Sequence, residues 1–508
     1  MNDTHTLTPV SRRSLLRHLG AGAMGLTGAL VGLPALASPA KAAWSSNFAP
    51  FASPAFVGHL RTDAITVEGQ IPRALRGTLF RNGPARFARG QSHLSHWFDG
   101  DGMVQALRFE DGRASHQGRL VHTPKATQEA AAGHFLYGGF GSVVPHSQPV
   151  ESPDVVNVAN INLLAMQDGK KLYALWEGGS AIEIDPTTLT TLGAKTWSPE
   201  THRAPFSAHP RIAPDGTVWS FGYMAGSGSL LIYQIGANGI LQRQTLLKVP
   251  QADMVHDFAI TQNHLVFLLQ PLHFQKPDTG SLPNLLAGMR WQDSAPLIAC
   301  VVKQSDFSLQ MMDLPNGGVF HLGNAWEEGG VIRLGYARYP DILSVMHNMR
   351  VDRVGGAGAL GTSTWTEVEL PLASGRAIQH PTELAHIEFP RWDQRRTSMP
   401  NQLTVMMQRS PSMNADVMGF NTLLALHGGK VQRHNYGDGW LAEEHLYVPH
   451  PTQASEHSGW IVGTAYHWPT EKTTVSVFEA GHVAQGPVAQ LRLPYGLPLG
   501  LHGQFVPA

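Results

Sequence analysis

Residues 215–239 read DGTVWSFGYMAGSGSLLIYQIGANG. Two runs rich in β-branched, aromatic and aliphatic residues, Val218 to Met224 and Leu230 to Gln234, lie between the turn signals Asp215-Gly216 and Asn238-Gly239. That pattern predicts paired short strands. It recurs outward in both directions, at Lys171 to Leu175, His264 to Gln270, Val331 to Tyr339, Gln402 to Gln408, Gly459 to Trp468 and Thr473 to Phe478. Asp111-Gly112 and Asp168-Gly169 add further turns, and 53 Gly and 35 Pro supply more of them. The expectation is an all-β chain. No repeat of fixed period marks a propeller.

A chain of 508 residues predicts about two to four domains, a number that large β architectures override. The formal net charge of −1 excludes the basic footprint of a nucleic-acid binder. The single cysteine, Cys300, lies in the apolar run Leu297 to Val302 and is expected on a buried strand. Without a partner it forms no intrachain disulfide.

The first residues read as a targeting segment. Ser11-Arg12-Arg13-Ser14-Leu15-Leu16 resembles a twin-arginine export signal. A Gly/Ala-rich apolar stretch follows from Leu19 to Leu33, and small residues at Ala40-Lys41-Ala42 offer a cleavage site. The stretch is short for a membrane anchor. The expected division is a signal peptide over 1–42 and one domain over 43–508, exported to the periplasm or secreted. Trp44 to about Gln70 shows little periodicity and reads as an arm.

Several patterns mislead. Gly356 to Gly361 matches a dinucleotide glycine spacing, but a strand, Thr362 to Leu370, follows where that fingerprint needs a helix. His93 and His96 lack the further ligands of a zinc site. Asp99 and Asp101 lack the rest of a calcium loop, so Phe98 to Met103 reads as a turn between strands. Glu456 to Trp460 reads as a turn leading into a strand. Leu282, Leu285, Leu286 and Met289 follow a helical spacing, so Leu282 to Trp291 is expected to be helical.

The chain has 26 histidines, and four stand in distinctive phrases. These are Phe206-Ser207-Ala208-His209-Pro210, Val255-His256-Asp257-Phe258, Val319-Phe320-His321-Leu322-Gly323-Asn324-Ala325 and Gly500-Leu501-His502-Gly503. They lie 47, 65 and 181 positions apart, too far for a local helical pair. With Gly77-Thr78-Leu79-Phe80-Arg81-Asn82-Gly83-Pro84 and His96-Trp97-Phe98-Asp99-Gly100-Asp101-Gly102-Met103, the phrases resemble the carotenoid cleavage oxygenase family. The resemblance runs from about Ile71 to the C-terminus.

That resemblance implies a seven-bladed β-propeller capped by a dome of loops and helices, with Fe(2+) on the axis. It implies His209, His256, His321 and His502 as the iron ligands. Neutral imidazoles suit such a borderline divalent ion. It further implies three glutamates that accept the ligands' second N–H: Glu177 in Leu175-Trp176-Glu177-Gly178-Gly179, Glu388 in Ile387-Glu388-Phe389-Pro390, and Glu444. At the third, Glu443 is adjacent, and His445 stands where the family usually has proline. The implied reaction is cleavage of a carbon–carbon double bond by O2 into two carbonyl products. The implied partners are a small lipophilic alkene and O2, with transient membrane contact through Leu282 to Trp291. The Phe206 to Ile212 and Leu175 to Gly179 stretches look like apocarotenoid-cleaving relatives. A stilbene-cleaving, lignostilbene-type activity is the alternative, with Lys125 pairing a phenolate; otherwise Lys125 is an ordinary surface lysine. A metal-free binding propeller is the non-enzyme alternative, and four intact histidines speak against it.

Overall fold

A computed structural model describes residues 58–277, 282–352, 362–413 and 417–508. The export signal, the first part of the arm and the Gly356–Gly361 segment lie outside the described residues.

Strand pairing forms seven four- or five-stranded antiparallel sheets, the blades of a β-propeller. Blade I takes Gly77–Arg86, Asp101–Glu110 and Arg113–Leu120; blade II spans 162–194, blade III 211–248, blade IV 259–314, blade V 318–385, blade VI 387–435 and blade VII 440–492. The two ends of the chain close the ring. The last strand, His502–Pro507, pairs with Gly77–Arg86 inside blade I, opposing Asn82 to His502. Gly83 permits this closure: a Cβ there would stand 2.5 Å from Gly500 Cα.

The arm departs from the expectation of irregular chain. His59–Thr62 pairs with blade I and Thr66–Gly69 with blade VII. Both are outermost strands with little burial on either face, so no apolar alternation betrays them in the sequence.

Period-2 geometry explains how the blades cohere. Along His264–Leu269, Leu265, Phe267 and Leu269 pack toward blade III, against Phe221 and Phe258. Val266 and Leu268 turn the other way, toward Val319, Leu334 and Tyr336 of blade V. A strand buried on both faces must be apolar throughout, because successive side chains point to opposite sides. Cys300 is fully buried on the neighbouring strand, Leu297–Lys303. Each such side chain contributes about 1.5–3 kcal/mol on burial. Asp111 and Gly112 take φ of 48° and 75°, the left-handed pair that a two-residue hairpin requires.

Long connections form the cap. They carry the helices Pro124–Ala132 and Ile342–Asn348. Leu282–Trp291 is not a helix: a single turn, Leu286–Gly288, leads into the strand Met289–Trp291. Gly288 packs tightly on Phe274, and the pairing with Leu272–Phe274 overrides the helical spacing. The turn segments behave as structure. Asp99 accepts the amides of Phe140, Gly141 and Ser142, and Glu456 those of Gln402 and Leu403. Among the described residues, no helix is long and apolar enough to cross a membrane.

Candidate metal centre

The inner edges of four blades bring His209, His256, His321 and His502 to one point. His209 and His256 lie just before the innermost strands of blades III and IV, Arg211–Ile212 and Ala259–Ile260. His321 lies on the inner strand of blade V within the pairing irregularity between Val319 and Leu322. Such bulges re-aim a side chain out of the ladder. His502 opens the closing strand. The four ligand atoms lie within 4.8 Å of one another and every imidazole is buried. Neighbouring Nε2 atoms stand 3.1 Å apart from His209 to His256, 3.1 Å from His256 to His321 and 3.0 Å from His321 to His502.

Three glutamates back this ring. Glu177 bonds His256 Nδ1. Glu388 bonds His321 Nδ1 at 2.5 Å, and Glu444 bonds His502 Nδ1 at 2.8 Å. Glu388 and Glu444 also stand at pairing irregularities of their inner strands. A carboxylate at Nδ1 holds the proton there and turns the Nε2 lone pair inward. Lone pairs facing one another at 3 Å repel unless a cation lies between them, so the donor set fits a divalent metal. Burial, then the neighbouring imidazoles, holds His209 well below the ordinary histidine range. Burial acts likewise on His502 and outweighs the opposing pull of Glu444. Among the described residues no carboxylate bonds His209; its amide is fixed by Ser207 Oγ at 2.9 Å.

A third layer steadies the glutamates. Tyr223 donates its hydroxyl to Glu177 at 2.8 Å, and Tyr339 to Glu388 at 3.0 Å. Burial, then the adjacent carboxylate, pushes both phenols well above the usual tyrosine range, so they remain donors. Arg391 Nε donates to Glu444 at 2.6 Å. Burial alone would raise the Glu444 carboxyl, but Arg391 and His502 outweigh it and hold it far below the carboxylate range. The adjacent Glu443 does different work. It accepts Thr464 Oγ1 and the Gly500 amide.

Beside the histidines lies an apolar chamber of about 60 Å³, walled by Trp97, Phe320, Met349, Phe389 and Leu501. Phe98 and Ile161 border both this chamber and a much larger cavity of about 770 Å³ under the cap. Glu177 and Tyr223 line the large cavity too. The two cavities thus adjoin at Phe98 and Ile161, and the smaller one reaches His256, His321 and His502.

A family profile described as retinal pigment epithelial membrane protein matches residues 56–507. The chain belongs to that family. The apocarotenoid-15,15'-oxygenase of Synechocystis is 28% identical over 459 residues, covering 86% of this chain and 92% of that protein. Lignostilbene-alpha,beta-dioxygenase isozyme III of Sphingomonas paucimobilis is 28% identical over 473 residues, covering 87% and 94%. The fold matches the crystal structure of cobalt-substituted Synechocystis apocarotenoid oxygenase with a TM-score of 0.82 at 26% identity, covering 92% of this chain and 99% of that one. These relatives of the retinal pigment epithelial membrane protein family are oxygenases, and the chain is an enzyme of that kind.

Two residues of this family member depart from expectation or were missed. Lys125 is not a surface lysine. It is 2% exposed, lies on the helix Pro124–Ala132, and lines the large cavity. Its Nζ reaches Asp101 at 3.2 Å and Glu129 at 2.8 Å. The Glu129 pairing spans one helical turn at an i, i+4 spacing. Arg391 carries no local signal of its link to Glu444, because the contact spans two blades.

Proposed function

We propose that the chain is a non-haem Fe(II) dioxygenase that cleaves a carbon–carbon double bond of an apocarotenoid with O2, giving two carbonyl products. The observation that carries this reading is the four-imidazole, three-carboxylate ring beside an apolar chamber that adjoins the large cavity under the cap. Bound iron would supply O2 activation at the positions the histidines leave open. The chain's own residues do the rest. His209, His256, His321 and His502 hold the ion, and Glu177, Glu388 and Glu444 fix their rings. Phe98, Ile161, Phe320 and Phe389 position an alkene and exclude water. No side chain is required as nucleophile or general base. Leu285 and Val143, exposed apolar residues bordering the cavity, support transient membrane contact during substrate uptake. Export by the twin-arginine route belongs to the same reading, and fractionation of expressing cells tests it. Incubating iron-loaded protein with an apocarotenal and with a hydroxystilbene tests the reaction: aldehyde from the apocarotenal is expected.

One observation favours a second reading. Lys125 lines the large cavity, where a cationic donor suits a phenolate. The acidic pair Asp101 and Glu129 already engages that ammonium, which favours the apocarotenoid. Aldehyde from the hydroxystilbene alone would transfer the assignment.

A further inference from the structure

Far from the four histidines, the outer part of blade I carries a groove of about 470 Å³ facing the turn 185–190 of blade II. Three arginines reach it from three adjacent strands. Arg61 lies on His59–Thr62, Arg108 on Asp101–Glu110 and Arg119 on Arg113–Leu120. Strand register puts them on one face. Arg61 opposes Gln117, His59 opposes Arg119, and Arg108 opposes Ser115, so all three follow the same side of the pleat.

Two of the guanidinium groups are fixed in advance. Arg108 donates to the carbonyls of Pro186 and Thr187 at 3.2 and 2.8 Å. Arg119 donates to the Thr188 carbonyl at 3.4 Å and Thr190 Oγ1 at 2.8 Å. These bonds use NH2 of Arg108 and NH1 of Arg119; Arg108 NH1 adds one to Gln117. The Nε donors of both, and NH2 of Arg119, stay available. Arg61 makes no side-chain hydrogen bond or ion pair among the described residues.

Charge in the groove is unbalanced. No carboxylate among the described residues lies within 4.0 Å of any of the three arginines, whereas elsewhere in the chain Arg76, Arg89, Arg211, Arg333 and Arg391 are each ion-paired. Asp63 borders the groove without pairing. Asp185 is turned to its own turn, capping the amides of Thr187 and Thr188. Residues 4–57, which precede blade I, contain no Asp or Glu. Burial, and then Arg61, depresses the Arg108 guanidinium, a sign that the cluster repels itself. Guanidinium groups held by carbonyls, with spare N–H donors on residues that line one concave space, match the oxygens of a phosphate group.

We propose that this groove is a binding site for a phosphate-class dianion, held by Arg61, Arg108 and Arg119. It is separate from the metal centre, so it serves a regulatory or anchoring ligand and not the alkene.

The test uses the full-length, iron-loaded protein with inorganic phosphate, and with chloride at matched ionic strength to control for screening. Phosphate is expected to raise the melting temperature saturably, as a ligand of the native state does. Arg61→Ala, which removes no hydrogen bond or ion pair among the described residues, should weaken phosphate binding by calorimetry about tenfold or more. Arg61→Lys should retain part of it, and apocarotenal turnover should not change. A second arm uses phosphatidylcholine vesicles with and without phosphatidic acid. Arg61-dependent binding of phosphate assigns a soluble ligand, and Arg61-dependent binding of the phosphatidic acid vesicles alone assigns a lipid headgroup. An equal effect of chloride, or binding in both arms indifferent to Arg61→Ala, overturns the proposal.

Discussion

Arg211 and Asp257 form a buried ion pair in which Arg211 NH2 lies 2.7 Å from each carboxylate oxygen. Arg211 stands two residues after His209, and Asp257 directly after His256. Asp257 also accepts the amide of Leu322 at 2.9 Å, next to His321. Arg211 Nε meets the Phe258 carbonyl at 2.8 Å, and its guanidinium covers the Trp392 ring of blade VI at 5.0 Å. One pair thus ties together the chain segments of three histidines from three blades. Arg211→Met or Asp257→Leu alone leaves an uncompensated buried charge and should cost about 3–5 kcal/mol. The double variant should recover much of that loss in urea unfolding, yet bind metal more weakly than the parent, because the segments lose their common anchor.

The carboxylates behind the ring should matter by charge as well as by shape. Glu177→Gln, Glu388→Gln and Glu444→Gln should each lower metal affinity or turnover about tenfold to a hundredfold. Metal titration of the purified variants measures it. Three variants indistinguishable from the parent would remove these residues from the site.

Tyr339→Phe should destabilise the protein by about 1–3 kcal/mol, because it strands a buried oxygen of Glu388 without its donor. Tyr223→Phe should act similarly through Glu177. Denaturation midpoints compare the two directly with the parent.

Lys125→Ala is expected to be costly. It leaves Asp101 and Glu129 buried beside Arg89 alone, a loss of about 3–5 kcal/mol by the same reasoning as for any broken buried pair. Lys125→Arg restores charge. If Lys125→Arg restores stability but hydroxystilbene cleavage stays lost while apocarotenal cleavage persists, the residue acts on a phenol as well.

Acid should loosen the seam between blades IV and V. Burial alone would raise the Glu327 carboxyl. Hydrogen bonds from His264, Asn263 and Thr261 outweigh it and bring the value from 4.5 to about 2. A folded value below the unfolded one means stability that is complete above pH 4.5 and lost as pH falls toward 2. The difference in unfolding midpoint between the parent and Glu327→Gln should therefore shrink steadily across that window.

The short strands around 215–239 were legible because both faces of each blade are buried and tight turns separate them. The four histidines were legible only through their phrases, since their spacing follows from ring closure and not from local periodicity. Glu444 is set apart from Glu443 in the sequence by the resemblance alone; in the fold, adjacent residues on a strand point to opposite sides, and a pairing irregularity over 442–445 accompanies the meeting of Glu444 with His502. Lys125 was misread because its partner Asp101 comes from a strand 24 residues away. The helical spacing of Leu282 to Trp291 misled because two of its leucines face the large cavity and not a packed core.

On the proposed function, His209, His256, His321 and His502 hold one iron. Elemental analysis of the purified protein and of His256→Ala tests it most directly. About one iron per chain is expected in the parent and a large loss in the variant, because removing one ligand opens a site with no spare donor. Stoichiometric zinc in an active parent enzyme, or undiminished iron in His256→Ala, would contradict it.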